Sequence, residues 1–212
     1  MNPKFDKYAE LLKDWNTRIN LTAITDDEGI RVKHFQDSLS ILPYLKEGTL
    51  ADIGTGAGFP GLPVAIERPD IQVTLVDSLD KRVKFLQCVV DTLELKNVKC
   101  VHARAEDFGR DPEFRETYDY VTARAVASMP VLLEYCLPLL KDKGRFVAMK
   151  AANADQENFD SALKILGGHL VKTDKFILPG TDLQRCIFVV EKKGKMSPKF
   201  PRKAGTPTKQ PL

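Results

Sequence analysis

The stretch "DIGTGAGFPG", Asp52 to Gly61, decides the reading of this chain. A short apolar run, "TLADI", leads into it, and glycines follow at once. Two cofactor loops can be read there. Gly56, Gly58 and Gly61 spell GxGxxG, the dinucleotide fingerprint. Gly54, Gly56 and Gly58 instead spell GxGxG behind an acid, which suits S-adenosylmethionine (SAM).

Outward from the loop, strands and helices alternate. "GLPVAIERP" reads as a helix stopped by Pro69, and "IQVTLVD" as a strand ending in Asp77. "SLDKRVKFLQCVVDTLEL" is an amphipathic helix with Val83, Leu86, Val90 and Leu93 on one face. "VKCVHA" is the next strand, and "RAEDFG" reads as a loop. "YDYVTARA" is a fourth strand, "SMPVLLEYCLPLL" a helix, "GRFVAMK" a fifth strand and "NADQENFDSALKILGG" a further helix. Two last strands, near "HLVKTDKFIL" and "QRCIFVVEK", are close enough to pair as an antiparallel hairpin. Alternation of this kind predicts an α/β fold with right-handed crossovers and a mainly parallel, seven-stranded sheet. Before it, Phe5, Tyr8, Leu12, Trp15 and Ile19 recur at helical spacing, and a second helix is expected from about Glu28 to Leu42, capped by Asp26 or Asp27. The expected organisation is a helical extension over 1–47, a cofactor-binding domain over 48–193 and a tail over 194–212.

Three features choose between the cofactors. The strand ends at Ile53, so GxGxxG read from Gly56 begins two residues late, and Pro60 lacks an N–H that a pyrophosphate would use. Asp52 suits a cationic amino-acid moiety and would repel a pyrophosphate. Asp77 then serves the ribose hydroxyls of either cofactor, and Glu106 in "RAEDF" accepts the adenine amine while Ala105 leaves room for the ring. Together these favour SAM.

Composition narrows the class. The 43% hydrophobic and 29% charged residues fit a globular chain, and no apolar run reaches the roughly 18 residues a membrane span needs. The charged N-terminus "MNPKFDKYAE" has no signal-peptide apolar region, so a cytoplasmic protein is expected. Cys88, Cys100, Cys136 and Cys186 form no CxxC pair, so no metal is expected. The net charge of +3 is unevenly placed: from Lys192 to Leu212 there are seven basic residues and no acid, while the other 191 residues carry 25 basic and 29 acidic groups. Such a tail, Pro-rich and too polar for regular structure, points to an anionic partner, nucleic acid first.

"ADIGTGAGFPGLPVAI", "TLVDSLDKRVKFL", "ARAED", "TARAVA" and "FPRKAGTPTKQPL" closely resemble the bacterial glucose-inhibited division protein B family, the small-subunit ribosomal RNA methyltransferase G enzymes, and "WNTRINLTAI" and "KHFQDSLS" fit as well. The resemblance spans essentially the whole chain. It implies a Rossmann-like class I SAM-dependent methyltransferase that methylates guanine N7 in 16S rRNA. Gly54 and Phe59 then become SAM contacts, Ala105 and Glu106 the adenine end, and Arg124 a residue at the cofactor–substrate junction. The partner it implies is 16S rRNA or the small ribosomal subunit, met by a monomer.

Guanine N7 carries a lone pair and no proton, so no general base is required and orientation carries the catalysis. Arg124 is expected to hold O6 or a phosphate of the substrate; a salt bridge to Asp52 or Asp77 is its structural alternative. Lys150, Lys199, Arg202 and Lys203 are the expected RNA contacts, while His34, alone on a helix, is open between a structural role and RNA contact. The rivals are an NAD-dependent oxidoreductase and a non-catalytic RNA-binding module on a SAM fold.

Overall fold

In the computed structural model, which describes residues 2–151 and 158–212, seven strands form one sheet in the order β3-β2-β1-β4-β5-β7-β6. They are β1 Gly48–Ile53, β2 Ile71–Asp77, β3 Val98–His102, β4 Tyr118–Arg124, β5 Leu140–Ala151, β6 Gly168–Ile177 and β7 Gln184–Lys192. The first five are parallel. β7 runs antiparallel to both β5 and β6, which closes the expected hairpin. The strand order reverses between β1 and β4, so their carboxyl ends flank the crevice where ligands of such sheets bind.

Alternate residues of each strand feed two cores. Leu50, Val73, Leu75, Val147 and Met149 face one side, with helices α1 (Lys4–Asn16), α4 (Gly61–Glu67) and α5 (Asp80–Thr92). Ala51, Ile53, Val121, Ala123, Phe146 and Ala148 face the other, with α7 (Met129–Cys136) and α8 (Asp160–Leu166). The N-terminal segment is part of the first core: Phe5, Tyr8 and Phe35 are buried against Phe59 and Phe85.

Several local expectations need correction. The second helix is broken into α2 (Asp27–Gly29), a wide π turn over Ile30–Gln36 and α3 (Asp37–Leu39), capped by the Asp26 side chain. Ile19 lies beyond α1, whose helix ends at Asn16. On α5 the buried face is Phe85, Leu86, Val89 and Val90; Val83 is only half-buried. "RAEDFG" is not a loop but a short helix, α6 (Ala105–Phe108). The start of the helix expected over "NADQEN" lies partly outside the described residues.

The tail departs furthest from expectation. Met196, Pro201 and Pro207 are buried, and Thr206–Lys209 forms a last helical turn, α9. Arg115 donates to the carbonyls of Ser197 (2.9 Å) and Phe200 (2.7 Å), and Arg110 to that of Pro201 (2.7 Å). Prolines and a polar composition did not prevent order, because backbone carbonyls that lack helix partners are satisfied by arginines from the main body.

Candidate functional site

The loop after β1 is tied down from three sides. The N–H groups of Gly54 and Thr55 donate to the Val76 carbonyl at 2.9 and 3.1 Å, so β2 holds its start. Tyr8 of α1, fully buried, donates its hydroxyl to the Ala57 carbonyl. Asp52 accepts from the Thr55 hydroxyl (2.6 Å) and the Gly61 N–H (2.8 Å). A Cβ on Gly58 would lie 2.6 Å from the Tyr8 hydroxyl, and one on Gly61 2.3 Å from Leu75. These two positions are closed by packing, not by a ligand. The third glycine of GxGxxG therefore has its N–H buried and committed, and cannot cradle a pyrophosphate.

Asp52 thus lies beneath the loop rather than facing a ligand. It is fully buried, and its Oδ1 has no hydrogen-bond partner among the described residues. Burial pushes its pKa up to about 6, against the opposing bonds from Thr55 and Gly61 and the charge of Arg124. The expected contact with a cationic amino acid is replaced in this structure by a loop-holding role.

On the outer side of the loop a cavity of about 330 Å³ opens, lined by Gly54, Asp77, Ala105, Glu106, Val126 and Tyr135 among others. Asp77 ends β2 there. Its carboxylate accepts from the N–H groups of Gly56 and Leu79, both at 2.9 Å, and lies 3.4 Å from Arg82. Glu106, in the first turn of α6, is buried and accepts from the Gly205 N–H at 2.8 Å and the Tyr135 hydroxyl at 3.3 Å. Two carboxylates beside apolar Val76, Ala105 and Val126 suit hydroxyl and amine donors with a flat ring, which is the chemistry of an adenosine; Ser78, Arg104 and Thr208 complete the polar part of the lining. The residues present therefore fit SAM. Of the residues expected from the sequence, Gly54, Asp77, Ala105 and Glu106 line this cavity, and Gly56 is tied to Asp77 through its N–H.

Phe59 and Arg124 lie elsewhere. Phe59 is stacked on His34, with centroids 4.4 Å apart, and the Arg124 guanidinium sits 5.1 Å over the same ring. Arg124 is mostly buried and pairs with neither Asp52 nor Asp77. It donates to Asp37 at 3.0 Å and to the Lys33 carbonyl at 3.3 Å. Asp37 also accepts from Arg185 at 2.8 Å, so one buried carboxylate joins two guanidiniums. His34 is nearly buried, with Nε2 2.7 Å from the Thr22 hydroxyl and Nδ1 3.3 Å from Arg124. Burial, then the Arg124 charge, lowers its pKa to about 4, so it is neutral at pH 7.

These residues wall a second cavity, of about 590 Å³, with Lys33, His34, Asp37, Arg124, Lys150 and Arg185 in its lining. Lys150 donates to the Ala127 carbonyl at 3.0 Å. Lys33, Asp37 and Arg185 were not singled out from the sequence. "KHFQDS" put Lys33 and Asp37 four residues apart on a helix, which was a usable signal; nothing local marked Arg185. The two cavities meet at the turn after β4: Arg124 and Ala125 line the basic one, Val126 the acidic one.

The tail cations divide. Lys199 and Lys203 are exposed. Arg202 is not available to RNA as expected: its N–H, Nε and Nη2 all donate to the fully buried carboxylate of Glu134, at 2.6–3.1 Å. Lys192 is likewise buried against Glu116. Among the described residues no cluster of His, Cys, Asp and Glu could hold a metal ion, and no helix is long and apolar enough to cross a membrane.

Comparison with known proteins gives the same picture. A family model described as rRNA small subunit methyltransferase G matches residues 1–177. The chain is 53% identical to the ribosomal RNA small subunit methyltransferase G of Acetivibrio thermocellus, over 99% of this chain and 88% of that one. It is 52% identical to that of Desulfitobacterium hafniense, with the same coverage. Among solved structures, the fold is similar to a SAM dependent methyltransferase from Aquifex aeolicus (TM-score 0.56, 18% identity, 78% of this chain and 93% of that one). It is also similar to M. jannaschii TYW2 in complex with AdoMet (TM-score 0.58, 16% identity, 80% and 77%). At these identities the structural matches speak for the class I methyltransferase fold.

Proposed function

The chain belongs to the rRNA small subunit methyltransferase G family, and from that premise we propose that it transfers a methyl group from SAM to N7 of a guanine in 16S rRNA. The observation that carries this reading is the pair of cavities on either side of the turn after β4, one holding the carboxylates of Asp77 and Glu106 with Arg104, the other four cations around Asp37. When bound, SAM supplies an electrophilic methyl group on a cationic sulfonium. Asp77 would hold the ribose hydroxyls, and Ala105 with Glu106 the adenine. The guanine would enter the basic cavity, where Lys33, Lys150 and Arg185 offer charge to RNA phosphates or the O6 edge.

No residue needs to remove a proton, because N7 has none. His34, neutral and committed to Thr22 and Arg124, fits a supporting role. Arg124, held by Asp37 and packed over Phe59, would fix the wall between the two sites, so that base and methyl donor meet in line. Phe59 then acts through Arg124 and His34, as a support beneath that wall. Exposed Lys199 and Lys203 are carried as outer RNA contacts. The substrate would be the 16S rRNA of the small ribosomal subunit, met in the cytoplasm by a monomer.

Equilibrium binding of SAM and of NAD, followed by methyl transfer to small-subunit RNA with mapping of the modified base, tests the proposal. Tight SAM binding and a 7-methylguanine are expected. Preferential NAD binding, or methylation at another base position, would overturn it.

A further inference from the structure

The tail and the acidic cavity touch. Gly205 and Thr208 belong to the lining of the cavity that holds Asp77 and Glu106. The Gly205 N–H donates to Glu106 Oε1 (2.8 Å), and the Thr208 hydroxyl lies 3.1 Å from that of Tyr135, which itself donates to Glu106 Oε1. Both bonds fall on Oε1, and among the described residues no hydrogen bond falls on Glu106 Oε2. The segment is held in place by Arg202, whose guanidinium grips buried Glu134 on α7 and also donates to the Gln210 carbonyl at 2.8 Å. That second bond closes residues 202–210 into a loop, which sets α9 against α7.

We propose that residues 204–209 form a wall of the SAM site at its adenine end. The tail, basic as it is, then serves the methyl donor before it serves RNA. With Oε1 fixed by Gly205 and Tyr135, the Glu106 carboxylate is held in one orientation and presents Oε2 to an amine donor. Without the tail, Oε1 loses the Gly205 N–H and keeps only the longer bond from Tyr135, so that orientation is held less firmly. This assignment rests on the SAM reading of the cavity.

Two variants test it. A chain ending at Lys203 keeps the Arg202–Glu134 pair and removes the wall; Tyr135→Phe removes a single hydroxyl and leaves the packing. Loss of several hydrogen bonds predicts about tenfold weaker SAM binding in the shortened chain, and loss of one predicts about threefold in Tyr135→Phe. In steady state the KM for SAM should rise by these factors while the KM for RNA moves less than twofold. SAM affinity unchanged in both variants overturns the assignment, as does an equal rise in both KM values. Absence of SAM binding in the parent chain overturns the cavity reading itself, and this assignment with it.

Discussion

Two cavities open at the carboxyl ends of the strands, on either side of one turn. The one beside β1, β2 and α6 is acidic, with Asp77 and Glu106 each tied to backbone N–H groups. The one beside the π turn, β5 and β7 is basic, with Lys33, Arg124, Lys150 and Arg185 around a single buried carboxylate. On the proposed reading this contrast helps to separate the two substrates: four cations around Asp37 repel a cationic methyl donor, whereas Asp77 and Glu106, with Arg104 in the same lining, offer it acceptors. The difference also explains why the buried ion pairs are unequal in kind. Asp77 and Glu106 keep their geometry through the backbone, whereas Arg124 and Arg185 keep theirs through Asp37.

The strongest way to break the basic side is Asp37→Ala. It leaves two mostly buried guanidiniums without their shared carboxylate, and breaking a buried pair costs about 3 kcal/mol or more of stability. Urea unfolding checks this; a loss under about 1 kcal/mol would mean that water replaces the carboxylate. On the acidic side, Asp77→Ala removes a charge-assisted acceptor for hydroxyls, worth roughly 1.5–3 kcal/mol, so SAM affinity should drop about tenfold or more with RNA affinity unmoved. Unchanged affinity in a calorimetric titration removes Asp77 from the site.

Lys33→Ala and Lys150→Ala sharpen the contrast through salt. Each lost single-strand phosphate contact lowers the slope of log affinity for RNA against log salt by about 0.7. SAM binding in the same variants should keep its own salt dependence. If the RNA slope stays put in both, the basic cavity does not meet phosphate.

The last contrast is in pH. His34 has its pKa lowered from 6.5 to about 4, so its contribution to stability is complete above pH 6.5 and is lost as pH falls toward 4. Asp52, raised from 3.8 to about 6, contributes in the opposite sense and loses stability as pH rises from about 4 to 6. His34→Gln should therefore gain on the parent as pH falls through that window, and Asp52→Asn should gain as pH rises. Thermal unfolding between pH 4 and 7 reads both slopes, and parallel curves would contradict the assigned environments.

Much of this was legible in the chain. The seven strands, the hairpin and two residues of the acidic cavity, Asp77 and Glu106, follow from short-range pattern, because both sit at strand or helix ends; that Gly205 and Thr208 of the tail complete the lining does not. Phe59 is an expected ligand contact only through the family resemblance, and an aromatic in a cofactor loop gives no local sign of the helices that will cover it. Asp52, which reads as a cofactor acid from its position, gives no local sign of its burial either.

What the sequence determined by itself is the order of elements and the choice of cofactor, carried by periodicity, by a loop of ten residues and by the acids that follow the next two strands. What tertiary structure alone decided is where the cations go. Arg185 reaches Asp37 across 148 positions and Arg202 reaches Glu134 across 68. A charge counted along the chain is a free charge, and only folding shows which ones burial has already matched with a partner. Thus Arg202, one of the tail cations expected to meet RNA, became an anchor for the wall of the cofactor site.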